Sequence, residues 1–414
     1  MKSIFKLTTI TFILIFFSSC TDDDNAINLI SKNFTVTIEN VFEAKDYFDS
    51  GTISEAGIAP GTSTSFSFNA GKGHYLQFGI MFVKSNDLFY APNDGGIALY
   101  DTNGNATTGN ITSQIKLWDA GTEVNEAPGM GSNQPMNQSG PNTGVAENGN
   151  VHMVNDGFSY PTTENVISVM IAHNGGTLFT VTINNISDAS SLATPLAPGT
   201  WVIHSENQKP MFTNGNTASL GLEKLAEDGD NSAMDTNLSS KSGFFSPFAP
   251  GAYSIGTLNE IFSIGNTANA ALESLAEDGD PSGFTSVFNT PNGSNSPGPL
   301  LPNNTYSFTF TANESDNLSF ALMLVHSNDW FFSADTIELF PNGTALSGDI
   351  TSLIKLLDAG TEADEYAGSG NNQPARQTGA NVGVSENGNV TEESSLSENI
   401  PTLSDMIKVI ITSN

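Results

Sequence analysis

Short apolar or alternating runs recur along the chain, separated by clusters of Gly, Asn, Pro and Ser. Six of them read as strands: Phe34–Val41, Thr64–Phe68, Tyr75–Val83, Thr177–Ile183, Thr305–Phe310 and Leu318–Val325. In Phe34-Thr-Val-Thr-Ile38 apolar and hydroxyl residues alternate, the period of a strand with one face buried. Tyr75–Val83 and Leu318–Val325 are apolar on both faces, which predicts strands in the middle of a sandwich rather than at an edge. No helix–strand alternation and no glycine-rich phosphate loop interrupts this pattern. The expected class is all-β, built as antiparallel β-sandwich.

The chain repeats itself. Ser113-Gln-Ile-Lys-Leu-Trp-Asp-Ala-Gly-Thr-Glu123 returns as Ser352-Leu-Ile-Lys-Leu-Leu-Asp-Ala-Gly-Thr-Glu362, and the match continues without a gap to Val151 and Val390, with 25 of 39 positions identical. Upstream, Ser85-Asn-Asp-Leu-Phe89 pairs with Ser327-Asn-Asp-Trp-Phe331, and Phe34–Val41 pairs with Phe179–Ile186. This order predicts two tandem sandwich domains, 34–175 and 179–414. The second is longer by a segment at 201–290 that is itself duplicated and reads as an insertion. Its halves carry Leu222-Glu-Lys-Leu-Ala-Glu-Asp-Gly-Asp230 and Leu272-Glu-Ser-Leu-Ala-Glu-Asp-Gly-Asp280. Each half predicts a short helix that starts near Thr217 or Thr267 and stops at Gly229 or Gly279. The acidic tail of each helix reads as a solvated turn, because it lacks the alternating ligand spacing of a helix-loop-helix calcium loop.

With 44 acidic and 13 basic residues in 414, the formal charge is −31. So few Lys and Arg cannot neutralise a phosphate backbone, which excludes nucleic acid as a partner. One cysteine, Cys20, excludes an internal disulfide. Lys2 and Lys6 precede an apolar run from Leu7 to Phe17, too short to span a bilayer but suited to an export signal. Phe17-Ser18-Ser19-Cys20 resembles a bacterial lipobox, which implies a signal peptide at 1–19 and lipidation of Cys20. Residues 20–33, opening on Thr21-Asp-Asp-Asp-Asn25, read as a flexible acidic tether. The expected location is the bacterial outer membrane or cell surface, with the membrane engaged through the lipid anchor only.

Catalytic constellations are scarce. The five histidines are scattered, no thiol remains after processing, and no Gly-x-Ser-x-Gly elbow is present. The chain therefore reads as a non-enzyme. Acids do sit at matched places. Asp87 and Asp329 follow one apolar strand; Asp119 and Asp358 follow the next, with Glu123 and Glu362 four residues on. Carboxylates converging at one pole repel each other unless a hard cation neutralises them, and calcium takes 6–8 oxygens from flexible loops. The other reading is that each aspartate caps a turn through its own backbone.

At these blocks the sequence resembles the spondin N-terminal domain. The family's Ser-Pro-Asp-Trp-Phe block is similar to Ser327–Phe331, and its Tyr-Asp-Ala-Gly-Thr-Asp block to Asp119–Glu123 and Asp358–Glu362. The resemblance implies a sandwich related to calcium-dependent lipid-binding domains, with one Ca2+ per domain. It carries metal ligation onto Asp87, Asp119, Asp329 and Asp358, with Glu123 and Glu362 in place of the family's second aspartate. The family's strand glutamate has no counterpart here: the strands read Ser65-Phe-Ser-Phe-Asn69 and Ser307-Phe-Thr-Phe-Thr-Ala312. The implied role is adhesion or capture of an extracellular matrix, glycan or cell-surface ligand. The alternative is an accessory or catalytic subunit of a secreted hydrolase, with its site in the 201–290 segment.

Overall fold

The computed structural model describes residues 30–393 and 400–414. The expected export signal, Cys20 and most of the expected tether lie outside the described residues, and residues 31–33 belong to a strand. Antiparallel strands dominate, arranged as four sheets around two separate apolar cores.

In the first sandwich, one sheet runs in the order Ser63–Asn69, Leu178–Asn185, Ile167–His173, Gly109–Asn110. The facing sheet runs Asp49–Ile53, Leu196–Ser205, His74–Phe82, Leu88–Ala91, Lys116–Asp119, His152–Met153, with Ile97–Ala98 beside His74–Phe82. Phe179, Val181 and Ile183 from one sheet meet Phe78, Ile80 and Ile203 from the other in one core. The second sandwich repeats this plan. Thr305–Asn313, Ser31–Asn40, Ile407–Ser413 and Gly348–Asp349 form one sheet. It faces Val287–Phe288, Phe248–Gly256, Asn317–Leu324, Trp330–Glu338, Lys355–Asp358 and Thr391–Glu392.

Alternation explains the outer sheets. Phe34, Val36 and Ile38 are wholly buried, while Thr35, Thr37 and Glu39 between them are partly exposed. The middle strands are buried on both faces for another reason: helices cover their outer side. α1 (Leu220–Asp228) and α2 (Ser232–Lys241) lay Leu222, Leu225 and Leu238 over Phe89, Trp118 and Val202 of the first sandwich. α3 (Ala270–Asp278) lays Leu272 and Leu275 over Ala252, Ala321 and Phe331 of the second. Helices α1 and α3 begin at Ser219 and Asn269, whose side chains accept from the backbone N–H of Leu222 and of Ala271 and Leu272. They start two residues later than expected and stop at Gly229 (φ 68°) and Gly279 (φ 67°), as the sequence predicts.

The strand pairing departs from the expected tandem boundaries. Ser31–Asn40 hydrogen-bonds to Thr305–Asn313 and Ile407–Ser413, so the first strand of the chain completes the second sandwich. Its sequence twin Leu178–Asn185 pairs with Ile167–His173 and Ser63–Asn69 and completes the first. Residues 201–290 are not one insertion either. Leu196–Ser205 pairs with His74–Phe82, whereas Phe248–Gly256 pairs with Asn317–Leu324. The duplicated unit is a strand plus a helical cover, one for each sandwich, and the two sandwiches are circular permutations of one plan. The tandem reading followed linear order, which a repeat retains even when the chain crosses between bodies.

The twinned strands end in equivalent buried asparagines. Asn185 Nδ2 donates to the carbonyls of Ile58 and Thr194 (both 2.8 Å), and Asn40 Nδ2 to those of Ser246 (2.9 Å) and Leu300 (3.0 Å). Burying Phe34, Val36 and Ile38 is worth about 1.5–3 kcal/mol each, comparable in sum with the ~5–15 kcal/mol net stability of a domain. Deleting residues 31–40 is therefore expected to unfold the second sandwich and spare the first. Hydrogen exchange checks this: amides of 317–324 should lose protection while those of 74–82 keep it. Loss in 74–82 instead would contradict the pairing.

Candidate functional site

Each sandwich carries an acidic pole, and the strand register builds it. Leu88–Ala91 runs antiparallel to Lys116–Asp119 with Leu88 opposite Asp119, so Asp87, one residue earlier, lies beside Asp119. In the second sandwich Trp330 is opposite Asp358, which sets Asp329 beside it. A serine fixes the approach. Ser85 Oγ donates to the Phe82 carbonyl and accepts from Leu88 N–H, and Ser327 does the same between Leu324 and Trp330.

Asp87 is fully buried. Its Oδ2 accepts from Thr122 N–H (2.8 Å), Thr122 Oγ1 (3.1 Å) and Glu123 N–H (3.1 Å). Asp329, equally buried, accepts from Thr361 N–H (2.7 Å), Thr361 Oγ1 and Glu362 N–H (both 3.1 Å). In both aspartates Oδ1 is buried with no hydrogen-bond partner. A carboxylate oxygen left bare inside a protein costs free energy unless some other positive group reaches it.

Asp119 accepts from Gly121 N–H (2.7 Å) and Asn125 Nδ2 (2.6 Å). Asp87, Asp119 and Glu147 each offer an oxygen within 4.8 Å of the others. In the second pole the corresponding group is Asp358, Asp364 and Glu393, with Asp329 close enough to raise the pKa of both aspartates. Asp364 replaces Asn125 and Glu393 replaces Val154, so the second pole is the more acidic.

The predicted glutamates lie outside both clusters. Glu123 turns to the opposite loop, where Oε1 accepts from Gly144 N–H (2.7 Å) and Oε2 from Asn86 Nδ2 (3.3 Å). Glu362 forms a backbone bridge to Ser385, as Glu123 does to Ala146, and its Oε1 is buried with no hydrogen-bond partner. These glutamates tie down the 133–147 and 372–386 loops. The helices assist: Asp228 accepts from Gln138 Nε2 and Asn142 N–H, and Asp278 from Gln377 Nε2 and Asn381 N–H. The acidic ends of the Leu-Ala-Glu-Asp units thus clasp the pole loops. Sequence reasoning missed Glu147, although its block is duplicated at Glu386. Asp364 and Glu393 had no repeat signal, because their twins are Asn125 and Val154.

Among the described residues no lysine or arginine pairs with Asp87, Asp119, Glu147, Asp329, Asp358 or Asp364; His152 Nε2 lies 4.0 Å from Asp119. Burial, then the neighbouring Asp119 charge, pushes the Asp87 pKa up to about 7. Burial and Asp329 do the same for Asp358, also to about 7, and burial and Asp358 push Asp364 to about 8. Burial raises Glu227, on α1 against Thr122, to about 7.

The donor set suits a hard divalent cation. It is all oxygen, carries several carboxylates on loops, and includes a bare buried Oδ1 at each pole. Comparison of the sequence with protein-family models and with curated proteins finds no match.

Carboxyls with raised pKa hold protons more tightly folded than unfolded, so their contribution to stability is present at low pH and is lost as pH rises through about 7–8. The buried histidines His74, His204 and His326 have lowered pKa and act with the opposite sign, but only below about 6.5, where unfolded histidine titrates. Between pH 6.5 and 8 the acids act alone. Without divalent cations, melting temperature is expected to fall across that window, at on the order of 1 kcal/mol for each carboxyl titrating near 7. Calorimetry in chelator at pH 6.5, 7.2 and 8 checks this; a flat profile would contradict it.

Proposed function

We propose that the protein is a non-enzymatic, calcium-binding adhesion or ligand-capture protein, exported and lipid-anchored through Cys20. Each pole takes one cation, and the ordered loops present an extracellular binding surface. The observation that carries this reading is the bare, buried Oδ1 of Asp87 and of Asp329, each beside further carboxylates and neither paired with a lysine or arginine. The resemblance of the Ser-Asn-Asp and Asp-Ala-Gly-Thr-Glu blocks to the spondin N-terminal domain supports the same reading. Residues 201–290 divide between the two sandwiches, so they do not form the single inserted unit on which the hydrolase alternative rests.

Asp87→Asn and Asp329→Asn keep an oxygen for the loop N–H groups while removing a charge from one pole each. Isothermal titration with Ca2+ is expected to give two ions per chain for the parent and one for each variant. At a hundredfold excess over Kd, binding adds about 2.7 kcal/mol. That corresponds to roughly 5–10 °C in the melting of a domain of this size. Unchanged stoichiometry in both variants, or no heat and no thermal shift in the parent, would refute the assignment.

A further inference from the structure

The strongest feature outside the poles is a cavity of about 250 Å³ where the two sandwiches meet. Its walls are the edge Phe48–Ser50 and Asn69 of the first sandwich, the crossover Ser242–Phe245 after α2, and His326 with Tyr366–Ser369 of the second. It lies on the junction rather than within the repeat; the twin of His326 is Lys84.

The cavity is held in shape from both sides. Phe48 stacks on His74 with ring centroids 3.7 Å apart. His74 Nε2 accepts from Arg376 Nη2 (2.8 Å), which also donates to the Gly368 carbonyl (2.6 Å). Lys72 N–H donates to Asn371 Oδ1 (2.8 Å), and Ser369 Oγ to the Asn69 carbonyl (3.4 Å). Phe244 packs edge-on against Phe42 of the second core. Walls fixed in advance lower the ordering cost of binding.

The free polar atoms specify the ligand. Asp49 Oδ1 accepts from Ser50 N–H, and Oδ2 has no partner among the described residues. His326 Nδ1 donates to the Phe245 carbonyl (2.6 Å), which leaves Nε2 as an acceptor. Asn69 Oδ1 accepts from Thr177 Oγ1, which leaves Nδ2 as a donor, and Ser50 Oγ is unpartnered. Two acceptors, one donor and one hydroxyl are therefore available between the aromatic walls Phe48, Phe244, Phe245 and Tyr366. An anion is repelled by Asp49 and by the net charge of −31. A cation would leave the Asn69 donor unused and approach the Arg376 guanidinium, which lies 6.0 Å over the Phe48 ring. A neutral ring with hydroxyls at its edge and C–H groups on its faces uses every group, the C–H face meeting the electron-rich aromatic face. At 250 Å³ the cavity falls just below the ~300–1,000 Å³ of drug-sized sites, room for one ring.

We propose that this junction cavity binds a single neutral sugar unit, with Asp49 and His326 accepting hydroxyl hydrogens and Asn69 donating to a ring or hydroxyl oxygen. The site is separate from the cation poles and does not depend on the calcium reading.

Saturation-transfer NMR on the full chain tests it, with the methyl glycosides of glucose, galactose, mannose and N-acetylglucosamine, and with choline as a cationic control. At least one glycoside is expected to show transfer, equally in calcium and in chelator. Asp49→Asn and His326→Gln should each weaken it by about tenfold, the effect of losing roughly 1.4 kcal/mol. Asp87→Asn and Asp329→Asn should leave it unchanged. If Asp49→Asn melts early, His326→Gln and Phe244→Leu carry the test. No transfer from any glycoside, equal transfer in the cavity variants, or transfer from choline alone would overturn the proposal.

Discussion

Burying two like charges side by side is the constraint on which the rest of this structure depends. The register that sets Leu88 against Asp119, and Trp330 against Asp358, forces an aspartate on each strand into the same pole. The protein answers half of the cost itself: three N–H and O–H groups converge on Oδ2 of Asp87 and of Asp329. Those donors come from the loop that follows the second aspartate, so the carboxylate that creates the repulsion also folds the loop around it. The other oxygen stays bare. Protonation relieves it at low pH, and a cation does so at neutral pH under the calcium reading proposed above, so loop order, charge and stability are linked through one atom.

The helices belong to the same arrangement. A strand buried on both faces needs a second cover, and α1 and α3 supply it with Leu222, Leu225, Leu272 and Leu275. Because each helix ends in Glu-Asp just past those leucines, the cover also delivers Asp228 and Asp278 to the pole loops. Glu227 and Glu277 sit at the same helix ends, buried, with pKa values raised by that burial. Packing and site are not separable here: the leucines that complete the sheet set the depth at which the acids sit.

Much of this was legible in the sequence, for physical reasons. Period-two alternation identifies Phe34–Ile38 and Phe179–Ile183 as half-buried strands whatever they pair with. Gly229 and Gly279 end helices because their positive φ suits glycine. The aspartates follow from their place at strand ends. Pairing did not follow, because alternation says which face of a strand is buried but not against which neighbour. Phe34–Ile38 fits either sandwich by composition, and only the register with 305–313 and 407–413 assigns it to the second. Glu123 and Glu362 lie near in sequence and their N–H groups bond Asp87 and Asp329, yet the Glu123 carboxylate turns to Gly144 and Asn86, away from the cluster. Glu147, 28 residues downstream, returns to it.

The permutation explains why a duplicated chain need not have duplicated functions. With the first strand of the chain committed to the second sandwich, the polypeptide crosses the junction twice, through residues 41–48 and 242–247. Those crossings bring Phe48, Phe244 and Phe245 to one place, where neither repeat alone could set them. The two poles diverge at the same time, by Asn125 against Asp364 and Val154 against Glu393. Greater negative charge strengthens attraction for a divalent ion and also raises the cost of the empty state, so under the proposed reading the second pole depends more on its cation than the first. That pole's loop continues into Tyr366–Ser369, which forms one wall of the junction cavity. That wall is fixed by bonds of its own, from Arg376 to the Gly368 carbonyl and from Ser369 to the Asn69 carbonyl, so the cavity keeps its shape independently of the pole.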